Sequence, residues 1–80
     1  MSKYTWTRYR WGNRLENSYD TYEEVTSQIA HDSREIDNGM ASFATAPVSL
    51  EGPKGIANGS ELYNLAYHNK DFKKLREAVG

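Results

Sequence analysis

From residue 4 to residue 11 the chain reads Tyr-Thr-Trp-Thr-Arg-Tyr-Arg-Trp. All of these but the two arginines are strand-favouring types. The run predicts a strand over 4–11, with Tyr4, Trp6, Arg8 and Arg10 on one face and Thr5, Thr7, Tyr9 and Trp11 on the other. Each face carries two aromatics. One face is therefore core, and the other is covered by a second element or by a partner. Gly12-Asn13 ends the strand, and residues 14–19 read as a loop.

The period then changes. Tyr22, Val25, Ile29 and Ile36 recur at helical spacing on one stripe. Thr21 and Glu24 have capping-box spacing, in which the hydroxyl accepts the Glu24 amide and the carboxylate reaches back to the amide of Thr21. Glu23 and Glu24 fall in the first turn, where the helix dipole favours anions. These signals predict a helix over 21–33. Two readings of the next residues stay open. Either the helix continues to a left-handed stop at Gly39, or Glu35–Asp37 and Met40–Ser42 form a hairpin around Asn38-Gly39.

Residues 40–50 carry no charge and alternate as a strand does, with Pro47 marking an edge or an end. Residues 51–59 hold three Gly and one Pro and read as a loop. Ser60 is the expected cap of a second helical region, with Glu61 at its positive end. Leu62, Leu65, Ala66, Phe72, Leu75 and Val79 make its apolar face. The segment His68-Asn69-Lys70-Asp71 is a candidate break, with Asp71 capping the second half. The expectation is a small single α+β domain over 1–80 in the order β-α-β-α, a short sheet with helices on one face.

Composition makes the aromatics central. Leu, Ile, Val and Phe number only thirteen of 80 residues, a fraction that alone leans toward disorder. A net charge of −1, six Tyr and two Trp shift the balance to a folded chain. Each large ring buries roughly 150–250 Å². With no Cys, disulfides, thiolate zinc sites and iron–sulfur clusters are excluded. A small secreted domain usually has disulfide staples, so a cytoplasmic location is expected. No apolar run approaches the roughly 18 residues of a membrane span, and no signal-peptide pattern leads the chain.

Charge is strongly segregated. Residues 1–14 carry four bases and no acid, and residues 15–37 carry seven acids and one base. The plain reading is mutual attraction or solvated faces. The sharper one is a bipolar surface that steers a charged partner. The acidic stretch, with Asp20, Glu24, His31 and Glu35, also has a reading as an imitation of a phosphate backbone.

No catalytic set converges in the sequence. His31-Asp32-Ser33 spells a triad, but successive helical residues point about 100° apart and cannot form one hydrogen-bonded line. His31 and His68 lie in no metal-ligand spacing. Gly52-Pro53-Lys54-Gly55 has the letters of a Gly-x-x-Gly backbone clamp, yet it follows a strand rather than joining two helices, so a surface turn is expected. The chain is therefore read as a non-enzymatic protein-interaction module without cofactor or metal, an inhibitor or adaptor of a larger protein. Its size would suit a viral or mobile-element regulator of a host enzyme. The expected contact residues are Trp6, Arg8, Arg10 and Trp11, with Glu23 and Glu24 second, because Trp and Arg dominate protein hot spots. The alternative is single-stranded nucleic-acid binding through the same strand. No membrane partner is expected, and open sheet edges leave homodimerisation in play.

Overall fold

A computed structural model describes residues 3–37 and 45–80, with the side chains of all of these but 35–37. The chain runs β1 (Tyr4–Arg10), β2 (Asn13–Tyr19), α1 (Tyr22–Asp37), β3 (Thr45–Gly52), β4 (Gly55–Asn58), α2 (Gly59–Tyr63), a π-helical turn (Asn64–His68) and α3 (Phe72–Val79). The four strands form one antiparallel sheet in the order β2-β1-β3-β4. The domain is α+β, and its helices cover one face of the sheet.

Each strand expected from the sequence is half of a hairpin. Residues 14–19 are not loop but the body of β2, paired in unbroken register from Tyr4↔Tyr19 to Arg10↔Asn13. The polar Asn-Arg-Leu-Glu-Asn-Ser run hides this strand, because an edge strand has little apolar burial to record in its sequence. The first strand stops at Arg10. Trp11 and Gly12 form the turn, both at positive φ (52° and 83°), the type I′ geometry of a two-residue hairpin. The 51–59 segment is likewise not a loop. Glu51 and Gly52 end β3, Pro53-Lys54 turn the chain, and 55–58 pair back as β4.

Helix α1 runs to Asp37, past the expected end at 33. Residues 35–37 are helical, which removes the hairpin reading for them; Asn38, Gly39 and the rest of the 40–44 part of the expected strand lie outside the described residues. The cap at Thr21 is half a capping box. Its hydroxyl accepts the Glu24 amide at 3.2 Å and meets the Glu24 carboxylate at 3.2 Å. Asn58, not Ser60, is the N-cap of α2. The break at 68–71 does occur. Lys70 takes a positive φ of 53°, and the Asp71 side chain accepts the Lys74 amide at 3.1 Å.

The core lies between sheet and helices. Trp6, Val25, Ile29, Leu50, Leu62, Leu75 and Val79 are sealed from solvent, with Tyr4, Tyr22, Leu65, Ala66 and Tyr67 around them. The π-helical turn widens the backbone so that Leu65, Ala66 and Tyr67, three successive residues, all face inward. Its i→i+5 bond runs from the Asn69 amide to the Asn64 carbonyl at 2.7 Å. Pro47 is tolerated because β4 pairs only with residues 49–52, leaving Pro47 with β1 on one side alone. The ladder slips at Thr7/Arg8, where β3 holds one extra residue against β1. Gly52 and Gly55 let the end of α3 lie on the sheet. A Cβ on Gly55 would sit 2.8 Å from the Ala78 carbonyl oxygen, and one on Gly52 would collide with that of Val79.

Through their hydroxyls Tyr22 ties α1 to α3 and Tyr67 ties the π-helical turn to β3. Tyr22 donates to the Phe72 carbonyl, and its ring lies 5.1 Å from the Arg76 guanidinium. Burial pushes its phenol up to about 12, with nearby Arg76 pulling the other way. Burial likewise raises Tyr67 to about 12, opposed by its bond to Thr45. Both phenols therefore ionise later in the folded chain than in the unfolded one. Their contribution to stability is complete below the ordinary phenol value of 10 and is lost as pH rises through about 12. In an alkaline titration we expect the last phenolates to appear together with the loss of the circular dichroism signal. Ionisation of every phenol near 10 with the fold intact would contradict this packing.

Candidate interaction surface

The structure divides the six expected contact residues into two groups. Trp6 and Arg8 face the helical layer and are buried, at 0% and 4% exposure. This corrects their expected role as contact residues, and the cause is Asp32. The helical stripe of α1 continues from Ile29 to Asp32, which puts a carboxylate directly under the sheet, fully buried. The Trp6 indole Nε1 donates to Asp32 Oδ2 at 2.9 Å, and Arg8 Nε lies 3.2 Å from the same oxygen. That Arg8 contact is an ion pair without the alignment of a hydrogen bond. Arg10 Nη1 reaches Asp32 Oδ1 at 3.3 Å, and Gln28 Nε2 donates to the same oxygen at 3.0 Å. Arg8 also donates through Nη1 to Asn17 on β2 at 2.6 Å.

The cluster is closed from the other side by Tyr67, whose ring lies 6.3 Å from that of Trp6 and whose hydroxyl shares a proton with Thr45 Oγ1 at 2.7 Å. The basic strand and the acidic helix are thus joined inside the molecule. The sequence contains this pairing only as a tendency of the charges to attract. The burial of Asp32 becomes visible only when the stripe Val25, Ile29 is continued by three residues.

The second group is on the surface. Trp11 is 51% exposed at the β1–β2 turn. Tyr9 and Leu15 on the same hairpin are also exposed large hydrophobics. Cross-strand pairing sets Tyr9 beside Arg14 on the open face of the sheet. Arg10 is half-buried, its side chain directed to Asp32. Glu23 and Glu24 are exposed at the start of α1, on a different element from the hairpin tip. Glu23 is 3.8 Å from Arg76 of α3, and Glu24 serves the helix cap. The sheet face away from the helices carries Thr5, Thr7 and Tyr9 of β1 with Glu16, Ser49 and Ile56 from the other strands, Thr7 itself being buried.

His31 is exposed while its neighbours Asp32 and Ser33 are buried, so the three letters of a triad point apart. The Gly52–Gly55 segment is a tight hairpin turn, not a clamp between helices. Among the described residues no group of three or more His, Asp or Glu could hold a metal ion, and no helix is long and apolar enough to cross a membrane. Open grooves lie against α2 and α3 and beside the β3–β4 turn, away from Asp32. Comparison with protein-family models, with curated proteins and with solved structures gave no match.

Proposed function

We propose that this chain is a non-enzymatic protein-interaction module that docks a larger protein through the tip of the β1–β2 hairpin, with Trp11 as the anchor. One observation carries the reading. Trp11 is a half-exposed indole held at φ 52°, a left-handed conformation that disfavours residues with a Cβ by roughly 1–2 kcal/mol. Asn-Gly is the ordinary choice for such a turn. A bulky aromatic kept at that position against both solvent and backbone preference suits an interface anchor. Tyr9, Arg14 and Leu15 flank it on the same hairpin. We place the module in the cytoplasm, because a small domain without cysteine suits a reducing compartment.

The single-strand nucleic-acid reading loses its main support at Asp32. Arg8 and Arg10 are both within 3.3 Å of that carboxylate, so one of the two positive charges is offset inside the molecule and Arg8 is buried away from any phosphate. Charge reversal at Arg8 and Arg10 would accordingly test folding rather than contact. The direct test is affinity capture from native host extract with the wild-type chain and with Trp11→Asn, beside a fluorescence titration with short oligonucleotides. A protein retained by the wild type and lost by the variant, with no quenching by oligonucleotide at low salt, is expected. Equal retention by the two chains would contradict the proposal.

A further inference from the structure

We infer that two copies of this chain pair through the free edge of β2, antiparallel and centred on Leu15, to make one eight-stranded sheet. This goes beyond the hairpin-tip contact, since it uses backbone groups of the sheet edge rather than the indole. Four observations meet here.

Among the described residues the edge is open: β2 pairs with β1 alone, is seven residues long, contains neither Pro nor Gly, and its register with β1 is uninterrupted. Every residue from Asn13 to Ser18 is exposed. Natural edges are usually short, bulged, capped by Pro or covered. The opposite edge, β4, follows that rule with four residues that run straight into α2.

The hydrogen-bonding phase is fixed by the turn. A two-residue hairpin closes on a hydrogen-bonded pair, here Arg10↔Asn13. Alternation then makes Arg8↔Leu15 and Trp6↔Asn17 the next hydrogen-bonded pairs. The amides and carbonyls of Arg14, Glu16 and Ser18 therefore point outward to the free edge.

Charge selects one register for self-pairing. With Leu15 opposite Leu15 of a second copy, Arg14 of each chain faces Glu16 of the other, and these are the residues whose backbone groups point outward. Opposite charges directly across a ladder stabilise it, and like charges destabilise it. The adjacent in-phase register would set Glu16 against Glu16 instead.

The apolar position fits as well. Leu15 lies in a non-hydrogen-bonded pair in this arrangement, where side chains across the ladder approach most closely. It is 38% exposed in the single chain. Cross-strand partners share a face, so the two-fold axis is perpendicular to the sheet and both helical layers lie on the same side.

The test needs only purified chain and sedimentation equilibrium over a range of concentrations up to about millimolar. Arg14→Glu and Glu16→Arg are each expected to sediment as a single chain, because each sets like charges across the seam. Mixed in equal amounts, the two variants are expected to form a heterodimer, since every Glu of one then faces an Arg of the other. The double exchange, Arg14→Glu with Glu16→Arg, is expected to restore the homodimer. Both positions are exposed, and a circular dichroism melt of each variant checks that the fold is kept. A wild-type chain that stays single throughout would overturn the inference. So would single variants that associate as well as the wild type, or a mixture that fails to pair when the wild type does. Loss of self-pairing would leave capture of another protein by Trp11 untouched, so the two readings fail separately.

Discussion

Asp32→Ala is expected to lower stability by about 3–5 kcal/mol, the range found when one member of a buried ion pair is removed and the other is left uncompensated. A chain of 80 residues has a total of roughly 4–12 kcal/mol by the usual per-residue figure, so the variant should lose a large share of its stability. The effect is large because four groups converge on one carboxylate: the indole of Trp6, the guanidinium groups of Arg8 and Arg10, and the amide of Gln28. Removing the carboxylate leaves Arg8, only 4% exposed, without its counter-charge, and leaves the Trp6 donor without a partner. Denaturant unfolding followed by circular dichroism checks this. Replacing both members, Arg8→Met with Asp32→Leu, should cost less than the sum of the two single changes, because the desolvation of two charges is removed together, while the Trp6 donor still loses its partner. Additive losses would mean that the pair is not coupled as its 3.2 Å separation indicates.

Trp11→Asn is expected to act in the opposite direction on stability and to remove function. It places Asn-Gly at positions 11–12, the pair favoured by a type I′ turn, and relieves an L-residue with a bulky side chain at φ 52°. A gain of about 1 kcal/mol in denaturant unfolding is expected, the scale of the left-handed penalty. A gain in stability together with loss of partner capture is the signature of a residue held for contact rather than for the fold. A clear loss of stability would instead make Trp11 a part of the fold, and the anchor role would fall.

The sequence made the elements legible wherever one face is buried. Val25 and Ile29 marked α1, and Leu62, Leu65, Leu75 and Val79 marked the carboxyl-terminal helices, because burial writes a helical period into the letters. Asp71 was readable as a cap because its chemistry is local. β2 was not legible, since residues 13–18 of this edge strand are exposed and nothing demands an apolar alternation there. β4 was hidden by length, four residues between turn signals. The pattern over 4–11 gives the two faces of β1 but not which of them is core, and the expected contacts Trp6, Arg8, Arg10 and Trp11 come from both. Tyr4, Trp6 and Arg8 are all on the inner face. What decides the fate of Trp6 and Arg8 is a single carboxylate, 26 residues beyond Trp6, and such long-range pairing has no local signature. Trp11 was named for its type alone. The reason it stands out, a left-handed turn under a half-exposed indole, needs the hairpin partner that the polar letters of β2 conceal.

Asp32 holds the first tryptophan inside, while the second stays half-exposed at the hairpin tip. Proton exchange of the two indole N–H groups, followed by nuclear magnetic resonance, reads it directly. The Trp6 indole proton, bonded to the buried carboxylate at 2.9 Å, should exchange only with global opening, and more slowly than that of the half-exposed Trp11. Two indole protons that exchange equally fast, or protection at Trp11 with none at Trp6, would contradict the account.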